Sequence, residues 1–201
     1  MLAWEHTRLG EFLYRIDVAV FRFLNETIAN PFFDVLMPFV TDLNRQPVVL
    51  ALLAALLIWL AVKGGRTGRV AIVLLMVTII ISDQLNSSVF KYVFTRIRPC
   101  HVLSDVHLLV GCGSGYSFPS SHAVNNVAGA TILSYFYRKW TWAFLSFSGL
   151  VAFSRISVGV HYPSDVIAGA AVGALIGAAV LMLYLRILKE WNKRQQKVEN
   201  V

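Results

Sequence analysis

Five long apolar runs constrain this chain before any other feature, because each approaches the roughly 20 residues of helix needed to cross a bilayer. They lie at 43–62, 70–95, 121–137, 140–158 and 163–188 of the 201 residues. A soluble domain of this size covers its core with polar surface, and an ordinary one is about half apolar and a quarter charged. Here 57% of the residues are hydrophobic and 14% charged. The runs therefore lack a polar coat, and the solvent that suits them is lipid. The expected fold is all-α, a polytopic transmembrane bundle of five to six spans.

The segment 8–28 reads differently. Arg8, Glu11, Arg15, Arg22 and Glu26 share one helical face, while Leu13, Ile16, Val20, Phe23 and Leu24 share another. Charges in the middle of the helix disfavour a span and predict an amphipathic helix lying in the interface; a tilted span is the alternative. Asn30-Pro31 ends it, and 32–40 is expected to form a short re-entrant or interfacial turn. One domain results: an N-terminal amphipathic segment over 1–42, a bundle over 43–188, and a basic tail over 189–201 expected to be frayed and solvated. The opening MLAWEHTRLGEF has no basic start, no uninterrupted apolar stretch and no small-residue cleavage site, so it does not read as a removable signal peptide. Gly169, Gly173 and Gly177, four apart, form a smooth ridge on which another helix can pack closely.

The net charge is +7, from 18 Lys and Arg against 11 Asp and Glu. In so apolar a chain this excess marks cytoplasmic loops rather than nucleic-acid binding. Lys63, Arg66 and Arg69, then Arg138 and Lys139, then Arg186, Lys189, Lys193, Arg194 and Lys197 all fall on one side. The loops 96–120 and 159–162 fall on the other, so they are expected to meet outside, at the periplasmic or extracellular face of the cell membrane. The sequence specifies no oligomeric state.

The chemistry gathers at those outer ends. Lys91 and Arg98, then Ser120, Ser121 and His122, then Arg155, His161 and Asp165 form three clusters, although ionisable groups at membrane depth are costly. Lys91, Arg98 and Arg155 would repel one another unless an anion sat between them, and guanidinium forks suit phosphate oxygens. Ser120 and Ser121 precede an apolar helix, whose first-turn N–H groups add to such a cradle. His161 and Asp165 are four apart across Pro163; the carboxylate can hold one imidazole nitrogen and leave the other free to attack phosphorus. His122, at another helix start, can protonate the leaving group and then deprotonate water. Cations that neutralise the developing charge make a metal ion or other cofactor unnecessary.

These clusters, K-x6-RP, PSSH and SR-x5-H-x3-D, resemble the signature of the type-2 phosphatidic-acid phosphatase superfamily, with Ser121 where that pattern usually has glycine. The resemblance implies a helical bundle and metal-independent dephosphorylation through a phosphohistidine. It implies phosphate binding by Lys91, Arg98, Ser120, Ser121 and Arg155, and catalysis by His122, His161 and Asp165. The implied partners are the bilayer and a lipid phosphate or diphosphate. Undecaprenyl diphosphate is the first choice, and phosphatidylglycerol phosphate, phosphatidic acid and lipid A phosphates are alternatives. The same motifs bind vanadate in haloperoxidases, and a non-catalytic lipid-binding or transport protein is a further rival.

Four smaller expectations complete the reading. Asp83, Ser87 and Lys91 fall at four-residue steps, predicting a polar stripe toward the bundle interior, with Asp83 bonded to a neighbouring helix. Arg96 reads as a snorkelling anchor. Cys100, His101, Asp105, His107 and Cys112 share a loop but fit no zinc spacing. A Cys100–Cys112 disulfide is expected there instead, contributing about 3 kcal/mol.

Overall fold

The computed structural model describes residues 8–199, and every regular element among them is helical. The stretch 1–7, which carries most of the leader-peptide reading, lies outside the described residues. Helix α1 (Arg8–Arg22) passes into a π-turn at Phe23–Thr27. It has three faces rather than two: the charged stripe, an exposed apolar stripe with Leu9, Phe12, Leu13, Ile16 and Val20, and a buried face of Gly10, Asp17 and Phe21. The expected turn after Asn30-Pro31 is a full helix, α2 (Pro31–Thr41). The Asn30 carboxamide oxygen accepts from the N–H groups of Phe32 and Phe33, and Pro31 fills the first position, where no N–H is needed.

Helix α3 (Pro47–Lys63) buries none of its residues within the protein. Helix α4 (Gly65–Leu85) runs through a π-turn, Asn86–Phe90, into α5 (Lys91–Phe94). A short α6 (Pro99–Val102) opens the outer loop, in which Cys100 and Cys112 are joined as a disulfide. Helices α7 (Ser121–Phe136), α8 (Thr141–Ser157) and α9 (Pro163–Glu199) follow. Two stretches among the described residues, Gly65–Val102 and Pro163–Val198, are long and apolar enough to cross a membrane. The tail expectation needs correction: nothing between Lys189 and Glu199 breaks a helix, and α9 continues through it, with Lys193 paired to Glu190 at 2.8 Å.

The π-turn also corrects the polar stripe. Thr78, Ser82 and Asn86 are the polar side chains fully buried along this helix, whereas Asp83 and Ser87 are exposed. Asp83 does bond a neighbouring helix, accepting from the Asn125 amide at 3.0 Å. The wider turn changes the helical register before Lys91, so four-residue steps counted through it no longer share a face.

The glycine ridge organises the bundle. A Cβ on Gly169 would come within 2.8 Å of the Ser120 carbonyl, one on Gly173 would overlap the Val124 carbonyl, and one on Gly177 would meet Ala128 O at 2.9 Å. Numbers rise together on both helices, so α7 and α9 run parallel with their N-termini side by side. A cluster of Phe21, Ala123, Ala152, Ile156, Tyr162 and Val166 packs α1 onto that end of α7, α8 and α9. A second, of Met37, Val158 and Val160, packs α2 onto the turn after α8.

Gly173→Ala is expected to destabilise by about 1–3 kcal/mol through overpacking against backbone that has little room to shift. Gly149→Ala, whose Cβ meets nothing within 4 Å, should be neutral or slightly stabilising; thermal unfolding of the two variants in one detergent compares them. Protein purified without reductant should resist thiol alkylation at Cys100 and Cys112 and take up two labels after reduction.

Candidate functional site

The site forms where four chain segments meet at the paired N-termini of α7 and α9. On α9, Pro163 opens the helix and Asp165 reaches back as its third residue, Oδ2 accepting from the Tyr162 N–H at 2.9 Å. The same oxygen lies 3.4 Å from Nδ1 of His161. Ahead of it, Gly159 turns the chain at φ +88° while Val160 N–H and His161 N–H both donate to the Arg155 carbonyl at 3.2 Å. A side chain at Gly159 would be strained in φ and would crowd Val106 Cγ1 at 2.8 Å.

Arg98 arrives from the loop after α5. Its Nε donates to Gly115 O at 2.8 Å, and its Nη1 lies 3.3 Å from Val160 O and 3.4 Å from His161 Nε2. With Nδ1 turned to Asp165 and Nε2 facing a cation, the consistent tautomer carries its proton on Nδ1 and leaves a lone pair on Nε2. Burial, opposed by the Asp165 hydrogen bond, pushes the His161 pKa down to about 4, so the imidazole is neutral at pH 7. Burial likewise lowers the Arg98 pKa, with Asp165 opposing it.

Arg155 is buried beside them. Its Nη1 donates to the Thr41 hydroxyl, while its Nε has no protein partner. The Ser120 hydroxyl is also buried and unpartnered, and it does not cap α7. Such orphaned donors are rare in proteins, and two at one site have the chemistry of an anion-binding cradle. Lys91 lies within electrostatic reach of Arg98, Arg155 and Asp165. His122 lines one cavity with Thr41, and Arg155, His161 and Lys91 all act on it electrostatically.

Two bonds within the expected cradle are already made. The Ser120 N–H is already used, donating to Asp165 O at 3.0 Å. The Ser121 hydroxyl accepts from the Asn86 amide at 2.8 Å, which fixes its oxygen while its own O–H, like its backbone N–H at the first turn of α7, can still be offered to an anion. The other outer-loop donors are dispersed: His107 pairs with Asp34 at 2.8 Å and His101 with Gly113 O at 2.9 Å. Among the described residues no three His, Cys, Asp or Glu side chains gather as metal ligands would.

Sequence reasoning missed Arg96, Asp17 and Thr41. Arg96 is no snorkelling anchor: its side chain is 11% exposed and donates to Asp17 and Asp165, each at 2.7 Å. Burial works against that charge, but the two carboxylates more than offset it and raise its pKa. A signal for Asp17 existed, since at 100° per residue it lies about half a turn from the charged stripe of α1. Thr41 offered no such signal, because only the tertiary fold carries the end of α2 to His122 and Arg155.

Residues 70–189 match the PAP2 superfamily. The chain is 38% identical over 122 residues to a lipid A 4'-phosphatase of Porphyromonas gingivalis, covering 58% of this chain and 52% of that protein. It is 36% identical over 142 residues to an undecaprenyl-diphosphatase of Sulfolobus acidocaldarius, covering 70% and 66%. The chain thus spans about half of the first relative's length and about two thirds of the second's. The crystal structure of a transmembrane PAP2-type phosphatidylglycerolphosphate phosphatase from Bacillus subtilis shares the fold, with TM-score 0.67 and 23% identity over 92% of this chain and 90% of that one. By its matched segment, which spans more than half of its length, the chain belongs to the PAP2 superfamily.

Proposed function

We propose that this protein removes the terminal phosphate of a lipid phosphate or diphosphate at the outer leaflet through a phosphohistidine on His161. The observation that carries the reading is an imidazole with Nδ1 on Asp165 and an unprotonated Nε2 that faces Arg98 at 3.4 Å, set among buried donors, Arg155 Nε and Ser120 Oγ, that have no protein partner. In the first step Nε2 attacks phosphorus, the N–P bond forms, and the P–O bond to the lipid breaks as His122 gives its proton to the departing oxygen. In the second, His122 takes a proton from water, the resulting hydroxide attacks phosphorus, and the N–P bond breaks to release inorganic phosphate. Lys91, Arg98 and Arg155 hold the equatorial oxygens, helped by the Ser120 hydroxyl and the first-turn N–H groups of α7. Asp165 orients His161 and stabilises its charged forms. No metal ion or other cofactor enters either step.

Five crossings fit this reading: α3, α4 with α5, α7, α8 and α9. The basic residues after α7 and along the end of α9 lie at the ends of those helices remote from Ser121 and Pro163, so the positive-inside tendency directs the site outward. Helix α7 rises only about 24 Å, less than the roughly 30 Å hydrocarbon thickness, which supports a site near the membrane rim where a headgroup can reach it while its chain stays in lipid. An outward site suits recycling of undecaprenyl diphosphate, the preferred substrate. The relative named lipid A 4'-phosphatase favours a second reading, a phosphate on lipid A.

His161→Ala is expected to abolish phosphate release while leaving the unfolding temperature in detergent within a few degrees; turnover near that of the unaltered protein would refute the nucleophile assignment. Because His161 stays neutral down to about pH 4, the acid limb of kcat/KM, corrected for the substrate's own ionisation, should lie well below the ordinary histidine value of about 6.5. A limb at or above that value would contradict attack by this imidazole. Activity should survive EDTA and fall with vanadate, and a side-by-side phosphate-release panel over undecaprenyl diphosphate, lipid A, phosphatidylglycerol phosphate and phosphatidic acid should rank undecaprenyl diphosphate first.

A further inference from the structure

We propose that Asp17 and Arg96 are positioning residues that hold Asp165, and through it His161, in reactive geometry, which makes α1 a working part of the site. The inference rests on the reading of His161 as nucleophile. Asp165 is completely buried, and its two oxygens have separate duties. Oδ2 faces the Tyr162 N–H and His161 Nδ1, while Oδ1 accepts from Arg96 Nη1 at 2.7 Å. With Oδ1 held, the carboxylate cannot rotate about its own axis without losing Arg96, so Oδ2 stays turned to the imidazole. That constraint matters because the His161–Asp165 contact, at 3.4 Å, is too long to fix the orientation by itself.

Arg96 is held in turn by groups outside the proposed chemistry. Its Nη2 donates to Asp17 Oδ2 at 2.7 Å, its Nη1 also reaches the Ser164 hydroxyl at 2.7 Å, and its guanidinium lies 4.1 Å over the Tyr162 ring. Asp17 closes the cluster from α1, accepting from the Ser164 N–H at 2.9 Å and from the Ser164 hydroxyl. A planar fork can serve two carboxylates and a hydroxyl at once, which a lysine ammonium cannot do in the same geometry. Asp17 also balances the Arg96 charge. Without it the whole cation would act on Asp165 and weaken that carboxylate as an acceptor for His161. Burying two carboxylates and a guanidinium is a costly way to dock a helix that already inserts Phe21 into the core; holding one carboxylate oxygen on one histidine is a task such a cluster can perform.

The test compares phosphate release from a short-chain prenyl diphosphate and from dioctanoyl phosphatidic acid by the full chain in mixed micelles. The variants are Asp17→Asn, Arg96→Met, both together, and His161→Ala. Inhibition by inorganic phosphate reports the anion cradle separately. Asp17→Asn and Arg96→Met should each lower kcat about 10- to 100-fold, as loss of an orienting partner does, with KM and the phosphate inhibition constant unchanged within about twofold. In the Arg96→Met background Asp17→Asn should add little further loss of kcat, because Arg96 alone links Asp17 to the Asp165 carboxylate, while the bonds of Asp17 to Ser164 hold the helix start. Arg96→Lys should recover little.

Preserved kcat in either single variant, or independent losses that multiply in the double variant, would overturn the proposal. So would parallel loss of thermal stability, phosphate affinity and kcat in both single variants, which would make the cluster merely structural. Turnover near normal in His161→Ala would instead overturn the nucleophile reading. An inactive His161→Ala beside unimpaired Asp17→Asn and Arg96→Met would leave that reading standing and remove only this one.

Discussion

Close contact between α7 and α9 is the constraint on which the rest depends. Three glycines on α9 let two backbones approach to a distance that any Cβ would prevent, and they do so in step, Gly169 on Ser120, Gly173 on Val124, Gly177 on Ala128. The helices therefore run parallel with two N-termini adjacent. Each N-terminus carries unpaired N–H groups and the positive end of a helix dipole, so a region of positive potential exists before any side chain is counted. The Ser120 N–H to Asp165 carbonyl bond of 3.0 Å ties the two starts together. His122, His161 and Asp165 are all carried within two or three residues of those starts, which is how groups about forty positions apart come to share one site.

Onto this frame the outer elements add charge and fix it. Arg98 is pinned by the Gly115 and Val160 carbonyls, and Arg155 by Thr41. Neither is paired with a carboxylate in those contacts, and Lys91 stands near both. Like charges held together in a buried setting favour a ligand of opposite sign, and this imbalance agrees with the proposed phosphate chemistry. The buried carboxylate beside them, Asp165, is shared between Arg96 and His161. The outer helices are thus more than a lid: α2 reaches Arg155 and His122 through Thr41, and α1 reaches Arg96 through Asp17.

Much of this was legible in the chain. Apolar runs marked α3, α7 and α8 to within a few residues, because hydrophobic length is a local property, but α9 continues to Glu199, well past its apolar run. Asn30-Pro31 reads in the sequence only as the end of the first helix, whereas its capping carboxamide and fixed φ also start α2. Gly169, Gly173 and Gly177 announced close packing, though not onto which helix. The residues that could hold phosphate stood out because cations and histidines are conspicuous in an apolar sequence. Arg96 was misread for the same reason: by itself, a cation at a helix end looks like an anchor, and its partners, Asp17 and Asp165, lie 79 and 69 positions away. The stripe through Asp83 and Ser87 failed at the π-turn of Asn86–Phe90, where the period on which such counting relies no longer holds.

What the sequence determined by itself, then, is what acts within a few turns of backbone: helices, caps, the small-residue ridge, the excess of basic loops, and the three clusters with their chemistry. Only the tertiary structure decided which faces meet. It gave α1 a third, buried face carrying Asp17, turned the Ser121 hydroxyl to Asn86, left Ser120 Oγ and Arg155 Nε without protein partners, and set Arg96 between two carboxylates. The physical reason is that an ion pair or a close helix contact depends on distance in space, and separation along the chain carries almost no information about that distance once the helices have packed.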